Sequence, residues 1–304
     1  MSTAETTEVS LRAQGAVARR QMVSRASRWV LLGVTLVGVF ALAFLAYDVI
    51  HTGASRLSWD FLTSYPSRRA ANAGLRSSIL GSAWVMVTTV ILAIPVAVGT
   101  AVFIEEFAPK GRVTAAVRLN IANLAGVPSI IYGILGLTIF VRGLTIMGVT
   151  VIPKMGGSIL AGSLTLALMI LPMTVIASVE AIRQVPPSIR DGSLALGASR
   201  WQTVWYHTLP GALPGIMTGT ILAIARAAGE TAALIMIGAF AFIAFDNKSL
   251  GDSFTVMPVQ IYNWTTLPQE AFRVNAAAAI IVLMVAVIGL NLVAVLIRER
   301  FRRS

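Results

Sequence analysis

The sequence predicts an all-α polytopic membrane protein, and three observations carry that prediction. Charged residues make up 12% of the 304-residue chain, about half of the roughly 25% typical of soluble domains. Hydrophobic residues reach 56% and mean hydropathy is +0.80. Those residues gather into about six runs near the roughly 20 apolar residues needed to span a bilayer core.

The first run, 29–50, is longer than the apolar segment of a secretory leader and no small-residue cleavage site follows it, so it is expected to persist as an anchor. The second, 79–104, contains Pro95, the third, 115–141, contains Pro128, and the fourth, 158–179, contains Pro172. The fifth extends from Leu213 to Phe245. As one helix it measures about 50 Å, so it must tilt, project beyond the bilayer, or break near Gly238. The sixth is 276–297. Around these lie a polar tail, 1–28, expected to be partly disordered, and a short basic tail, 298–304. The transmembrane domain proper is 76–297. The connection 246–275, with Pro258, Trp264 and Pro268, is expected along the membrane surface.

Arginine and lysine mark the cytoplasmic side. They cluster before the first run (Arg12, Arg19, Arg20, Arg25, Arg28), after the sixth (Arg298, Arg300, Arg302, Arg303), between the second and third (Lys110, Arg112, with Arg118 beyond) and between the fourth and fifth (Arg183, Arg190, Arg200). Six spans with both termini cytoplasmic satisfy all four clusters. Arg56, Arg68, Arg69 and Arg76 oppose that orientation and are outnumbered. Because the basic residues flank the spans, the net charge of +11 reflects topology, and no nucleic-acid partner is expected. The absence of cysteine excludes thiolate chemistry, and two histidines leave little for a metal site.

The connection between the fourth and fifth runs is built as a unit, 186–210. Pro186 and Pro187 end one element and open the next. Ile189 to Leu196 predicts a short helix, Gly197 its left-handed end, and Ser199 the cap of a second. There Trp201, Val204, Trp205 and Thr208 follow the spacing of one face, and Pro210 is expected to close the unit. Two short helices with an apolar face suit insertion into a partner's groove. They suit equally an interfacial segment with both tryptophans among the headgroups.

Asp191-Gly192-Ser193, Gly197 six positions after Asp191, and Leu209-Pro210 resemble the EAA loop of ABC-importer permeases. Asp191 stands for the glutamate, and Gly192 and Ser193 for the two alanines. His207 stands where isoleucine is usual. The segments 126–133 (GVPSIIYG) and 225–231 (ARAAGET) resemble the phosphate-specific transport permeases, more the PstA than the PstC subunit, and the similarity covers most of 29–297. The resemblance implies a type I ABC-importer permease fold in the bacterial inner membrane. It implies that the loop is a coupling element docking on a separate ATPase, with no cofactor in this chain and ATP and Mg on that partner. The implied partners are a PstC-like permease, a PstB-like ATPase dimer, a PstS-like external binding protein, phosphate and lipid.

Arg226 and Glu230 are expected at membrane depth, where a charge costs about 2.5–3.5 kcal/mol on insertion scales. On one helix they share a face, which suits either a self-neutralising pair or the lining of a substrate path. A guanidinium matches phosphate oxygens in bidentate fashion. Glu230 can steady it and accept a hydrogen bond from a protonated phosphate. Pro128 is expected to open the third helix, so that Ser129 and Tyr132 offer hydroxyls to an oxyanion. The competing reading is a kinked helix, with Gly133 and Gly136 for close packing. Gly215 and Gly219 are read as a packing face. Adjacent Glu105 and Glu106 are read as a solvated helix end or subunit contact rather than catalytic acids.

The chain has no nucleotide-phosphate loop and no hydrolase or zinc-protease motif, so a transport subunit without its own ATPase site is expected. A permease for another oxyanion, an intramembrane phospholipid-phosphate enzyme and a passive anion channel are the alternatives. The enzyme lacks a convincing nucleophile, and the channel leaves the 186–210 loop without a purpose.

Overall fold

The computed structural model describes residues 16–239 and 242–303; residues 1–15 of the polar tail, and Ser304, lie outside that range. Residues 16–28, expected to be partly disordered, are instead the first turns of α1 (Ala16–Gly53). This helix makes up the described part of one unit, which ends at His51. Its large apolar side chains, Trp29 through Ile50, are exposed on all sides, the pattern of a helix whose surroundings are themselves apolar.

The second unit holds the rest. Its helices are α2 (Trp59–Thr63), α3 (Arg76–Val102), α4 (Arg112–Ala125), α5 (Ser129–Gly136), α6 (Ile159–Arg183), α7 (Pro187–Ala195), α8 (Arg200–Thr203), α9 (Leu209–Ala228), α10 (Ala232–Met236), α11 (Met257–Thr266) and α12 (Glu270–Arg303). Across the described residues, five helical stretches are long and apolar enough to cross a membrane, and six if α4 and α5 count together. They do count together. Ion contacts of Glu105, Arg118, Arg183 and Arg190 place the α3–α4 and α6–α7 connections at one end of this unit. The Ser158–Ser253 bridge and the Arg76–Asp246 pair place the α5–α6 and α10–α11 connections with the start of α3 at the other. The chain therefore passes from end to end through α4 and α5.

That passage is not one kinked helix. Its halves meet at 99°, because Pro128 caps α5 in an extended conformation and the residue before a proline is steered away from helix. The fifth run stops near Gly238, one of its expected outcomes, but it also breaks earlier. Helix continues from Arg200 through Ala228, breaks first at Gly229, resumes for five residues in α10, and ends at Gly238 with φ +95°.

α3, α6 and α9 pack through small residues, as membrane helices do when no hydrophobic force drives them together. Ala93, Ala97 and Ala101 recur every fourth position on one buried face of α3. A methyl added at Gly215 meets the Ala181 methyl at 2.6 Å, and one at Gly219 overlaps Ala177 more severely, so both glycines are packing positions. Hydroxyls crosslink the helices, with Thr89 donating to the Ser163 carbonyl and Ser163 to that of Val85, each at 3.3 Å.

At the end away from the α6–α7 connection, Trp264 is buried among Phe61 and Phe272, with ring centroids 6.0 and 6.4 Å away. The 246–275 connection is thus anchored in protein rather than lying on the membrane. A hairpin of β1 (Leu144–Ile146) and β2 (Val149–Ile152) precedes α6. Its central residues Met147 and Gly148 both have positive φ, as a tight hairpin turn demands.

Candidate functional site

Two interrupted helices meet in the middle of the second unit. Gly133 of α5 lets Ala233 of α10 approach, where a Cβ would sit 2.8 Å from the Ala233 backbone. Gly136 does the same against Thr165 of α6. The packing role expected of both glycines therefore holds, and it coexists with a broken helix rather than replacing it. Ser129 opens α5, half-buried. Tyr132 is buried beside Ala223, Ala227 and Leu234, and its hydroxyl donates to the Leu124 carbonyl at 2.8 Å. Its one proton is thereby committed to the α4 end of the corner, leaving only acceptor capacity for anything in the path.

Arg226 occupies the last turn of α9, where helix carbonyls favour a cation. Its guanidinium lies 3.8 Å from the Met173 sulfur of α6 and within electrostatic reach of Tyr132. It is exposed on this chain, and none of the ion pairs among the described residues includes it. The four-residue spacing to Glu230 does not produce a pair, because the helix stops between them. Glu230 instead turns to the start of α10 and accepts from the Ala233 N–H at 3.2 Å. It is half-buried on the wall of a cavity of about 290 Å³ whose other lining, including Met86, Leu166, Ala227 and Met257, is almost wholly apolar.

The 186–210 unit follows its sequence closely. Pro187 opens α7, Gly197 has φ +88°, and Ser199 caps α8 in a reciprocal box with Gln202. Ser193, buried, shares a 3.0 Å hydrogen bond with Thr203, tying α7 to α8. Asp191 and Gly192 are exposed on α7, and Leu196 beside them is 91% exposed. Pro210 does not close the unit. A π turn, Val204–Thr208, leads straight into α9 with Pro210 in its first turn, where a missing N–H costs least. The wide turn also splits the expected face. Val204 and Thr208 are buried while Trp201 and Trp205 stack outward at 5.9 Å. Leu209 is half-buried against the cluster of Ala97, Ile104 and Ile216.

Glu105 and Glu106 are not a solvated helix end, because both are paired within this chain. They sit in a π turn, Phe103–Phe107, at the end of α3. Glu105 pairs with Arg118 of α4 at 2.8 Å and Arg183 of α6 at 3.1 Å. Glu106 lies 2.9 Å from Arg190 of α7, off the line of a good hydrogen bond. In sequence these arginines mark only topology, because nothing local joins residue 106 to residue 190.

Residues 70–304 match the family described as binding-protein-dependent transport system inner membrane component. The chain belongs to this family. It is 35% identical over 274 residues to the probable ABC transporter permease protein YqgI of Bacillus subtilis (strain 168), covering 86% of this chain and 88% of that one. It is 27% identical to the phosphate transport system permease protein PstA of Yersinia pestis, over 90% of both chains. In fold it is similar to a bacterial ABC transporter involved in the import of the acidic polysaccharide alginate, with TM-score 0.64, 18% identity, and coverage of 92% of this chain and 99% of that one. The protein is thus a multi-pass permease subunit of the inner membrane rather than an enzyme with its own catalytic site. A binding-protein-dependent permease works with a separate ATPase and a substrate-binding protein.

Proposed function

We propose that this permease forms half of the path of an ATP-driven phosphate importer. The observation that carries the reading is Arg226, a guanidinium at the break of a membrane helix with no carboxylate paired to it among the described residues. Beyond the carbonyls of its own helix end, such a charge needs a counter-charge that the described residues do not supply. A passing oxyanion supplies it, and guanidinium geometry suits phosphate. Broken helices at a substrate site are a recurrent arrangement in transporters. The relative named for phosphate transport aligns across this whole region.

In this reading the 186–210 unit faces the cytoplasm, as do both termini. Leu196, Trp201 and Trp205 form the contact with a PstB-like ATPase dimer, which carries ATP and Mg; this chain carries neither. A PstC-like subunit completes the path and a PstS-like protein delivers phosphate from outside. Ser129 and Glu230 flank the ion, and Tyr132 holds the corner beside it.

The test is uptake into vesicles containing the assembled complex. ATP-dependent phosphate accumulation is expected, lost in Arg226→Gln and not restored by Arg226→Lys, which offers no fork. Accumulation of another oxyanion in preference to phosphate, or undiminished uptake by Arg226→Gln, refutes the reading.

A further inference from the structure

The contacts around Glu105 and Glu106 do more than close a helix end. Consecutive helical residues point roughly 100° apart, so two adjacent carboxylates reach different neighbours. Glu105 faces α4 and α6 through Arg118 and Arg183. Glu106 faces α7 through Arg190. Arg190 in turn donates to the Ile182 carbonyl at the end of α6 at 2.7 Å, and Arg118 to the Ile104 carbonyl in the π turn after α3 at 3.1 Å. The two glutamate side chains are 18% and 14% exposed. Two carboxylates and three guanidiniums thus bind the ends of α3 and α6 to the middle of α4 and α7.

Among the described residues, α7 has one other side-chain tie, Ser193 to Thr203, and it runs to the start of the continuous Arg200–Ala228 helix; the Arg190 contacts are what tie α7 to α3 and α6. α7 is bounded by Pro186–Pro187 and by Gly197 at φ +88°, so its helix is separate from α6 and α8 and depends on side-chain contacts to move with α3 and α6.

We propose that Arg190 and Glu106 form a strut and are positioning residues for coupling. They transmit displacement of α7 to the membrane helices while touching neither substrate nor nucleotide. The proposal rests on the reading of α7 as the ATPase contact. The off-axis approach of Arg190 Nε to Glu106 makes the link one of charge more than of hydrogen-bond geometry, so reversing both charges preserves it.

The experiment measures phosphate uptake and ATP hydrolysis in parallel on the assembled complex in vesicles. Glu106→Gln and Arg190→Gln are expected to leave assembly and hydrolysis within about twofold while phosphate moved per ATP falls by about fivefold or more, the lower end of ordinary coupling between sites. The double variant Glu106→Arg with Arg190→Glu is expected to recover most of that ratio, as a coupled pair does. An unchanged ratio in both single variants overturns the strut. So does a loss of assembly and hydrolysis in step with uptake, or a swap no better than the singles. Failure of the native complex to couple uptake to ATP overturns instead the importer reading beneath it.

Discussion

The Tyr132 hydroxyl donates to the Leu124 carbonyl at 2.8 Å, a bond that crosses the corner where α4 and α5 part. At the end of α4 the Leu124 carbonyl accepts from the Val127 N–H at 3.1 Å, and the tyrosine adds a second donor to it from the far side of the break. The corner is thereby fixed from both sides, with Gly133 and Gly136 pressing α5 onto α10 and α6. Replacing Tyr132 by phenylalanine removes this side-chain donor and leaves the Leu124 carbonyl with the Val127 N–H alone, at 3.1 Å. A loss of about 1 kcal/mol is expected, with chemical denaturation in detergent as the measurement. Stability equal to the native protein's means the bond does not hold the corner.

Gly219 and Ala177 are expected to behave as one unit. A methyl at Gly219 overlaps the Ala177 methyl, and overpacking of this kind costs about 1–3 kcal/mol. Gly219→Ala should therefore destabilise the α6–α9 pair, and adding Ala177→Gly should return most of the loss. The four unfolding curves form a double-mutant cycle. Additive effects indicate that the two residues do not share the contact.

Which of these features the sequence reveals follows from where their causes lie. Gly197 and the Ser199 cap answer to local backbone demands, and each stands where its residue type predicts. The six apolar runs answer to bilayer thickness. The break at Gly229 answers to α10 packing on α5, a contact between residues about 100 positions apart. The apolar composition runs on unchanged to Phe245 and hides it. Arg226 and Glu230 stand out by their cost in a membrane, but their separation depends on that hidden break. Glu106 and Arg190 meet only because α3 and α6 are neighbours, and no periodicity records that. The hairpin around Met147-Gly148 carries a faint signal, β-branched residues flanking a glycine, within a connection too short to draw attention.

The Arg76–Asp246 pair introduces acid sensitivity at the end away from the α6–α7 connection. The two side chains form a fork, at 2.8 Å and 2.5 Å, and the Arg76 hydrogen bond holds the Asp246 carboxyl below the usual aspartate range. A depressed carboxylate stabilises above the unfolded value of about 3.9 and loses that contribution as pH falls through the lower folded value. Hydrogen exchange in 242–253 should therefore rise only in strongly acid solution. In Asp246→Asn it should be raised already at neutral pH and lack this acid step. Equal pH profiles in both proteins contradict the assignment.

Glu230 is expected to sort anions by their protons. One carboxylate oxygen is taken by the Ala233 N–H, and the other makes no hydrogen bond among the described residues. That free oxygen can accept from a protonated phosphate, whereas fully ionised sulfate has no proton to offer. Glu230→Gln should narrow the preference for phosphate over sulfate in competition uptake, by roughly the tenfold that about 1.4 kcal/mol brings. An unaltered preference assigns Glu230 to capping α10 alone.

The continuous helix from Arg200 to Ala228 connects the loop unit to Arg226 without a joint. Pro210 and Pro214 sit in its early turns, and the π turn before them absorbs the disturbance. Nothing comparable lies near Thr220, which stands between Pro210 and Arg226. Thr220→Pro removes a hydrogen bond and introduces a clash costing about 3 kcal/mol or more, bending the helix between the two sites. The surface from Asp191 to Thr208 is upstream and untouched, so association with the ATPase should stay within about twofold while ATP-driven uptake collapses. Thr220→Ala is the companion variant. The Thr220 hydroxyl is buried without a hydrogen-bond partner, so its removal costs no bond and uptake should persist. Transport surviving in Thr220→Pro shows that the helix does not carry the motion. Equal loss in Thr220→Ala shows that the side chain, not the continuity of the backbone, is what matters there.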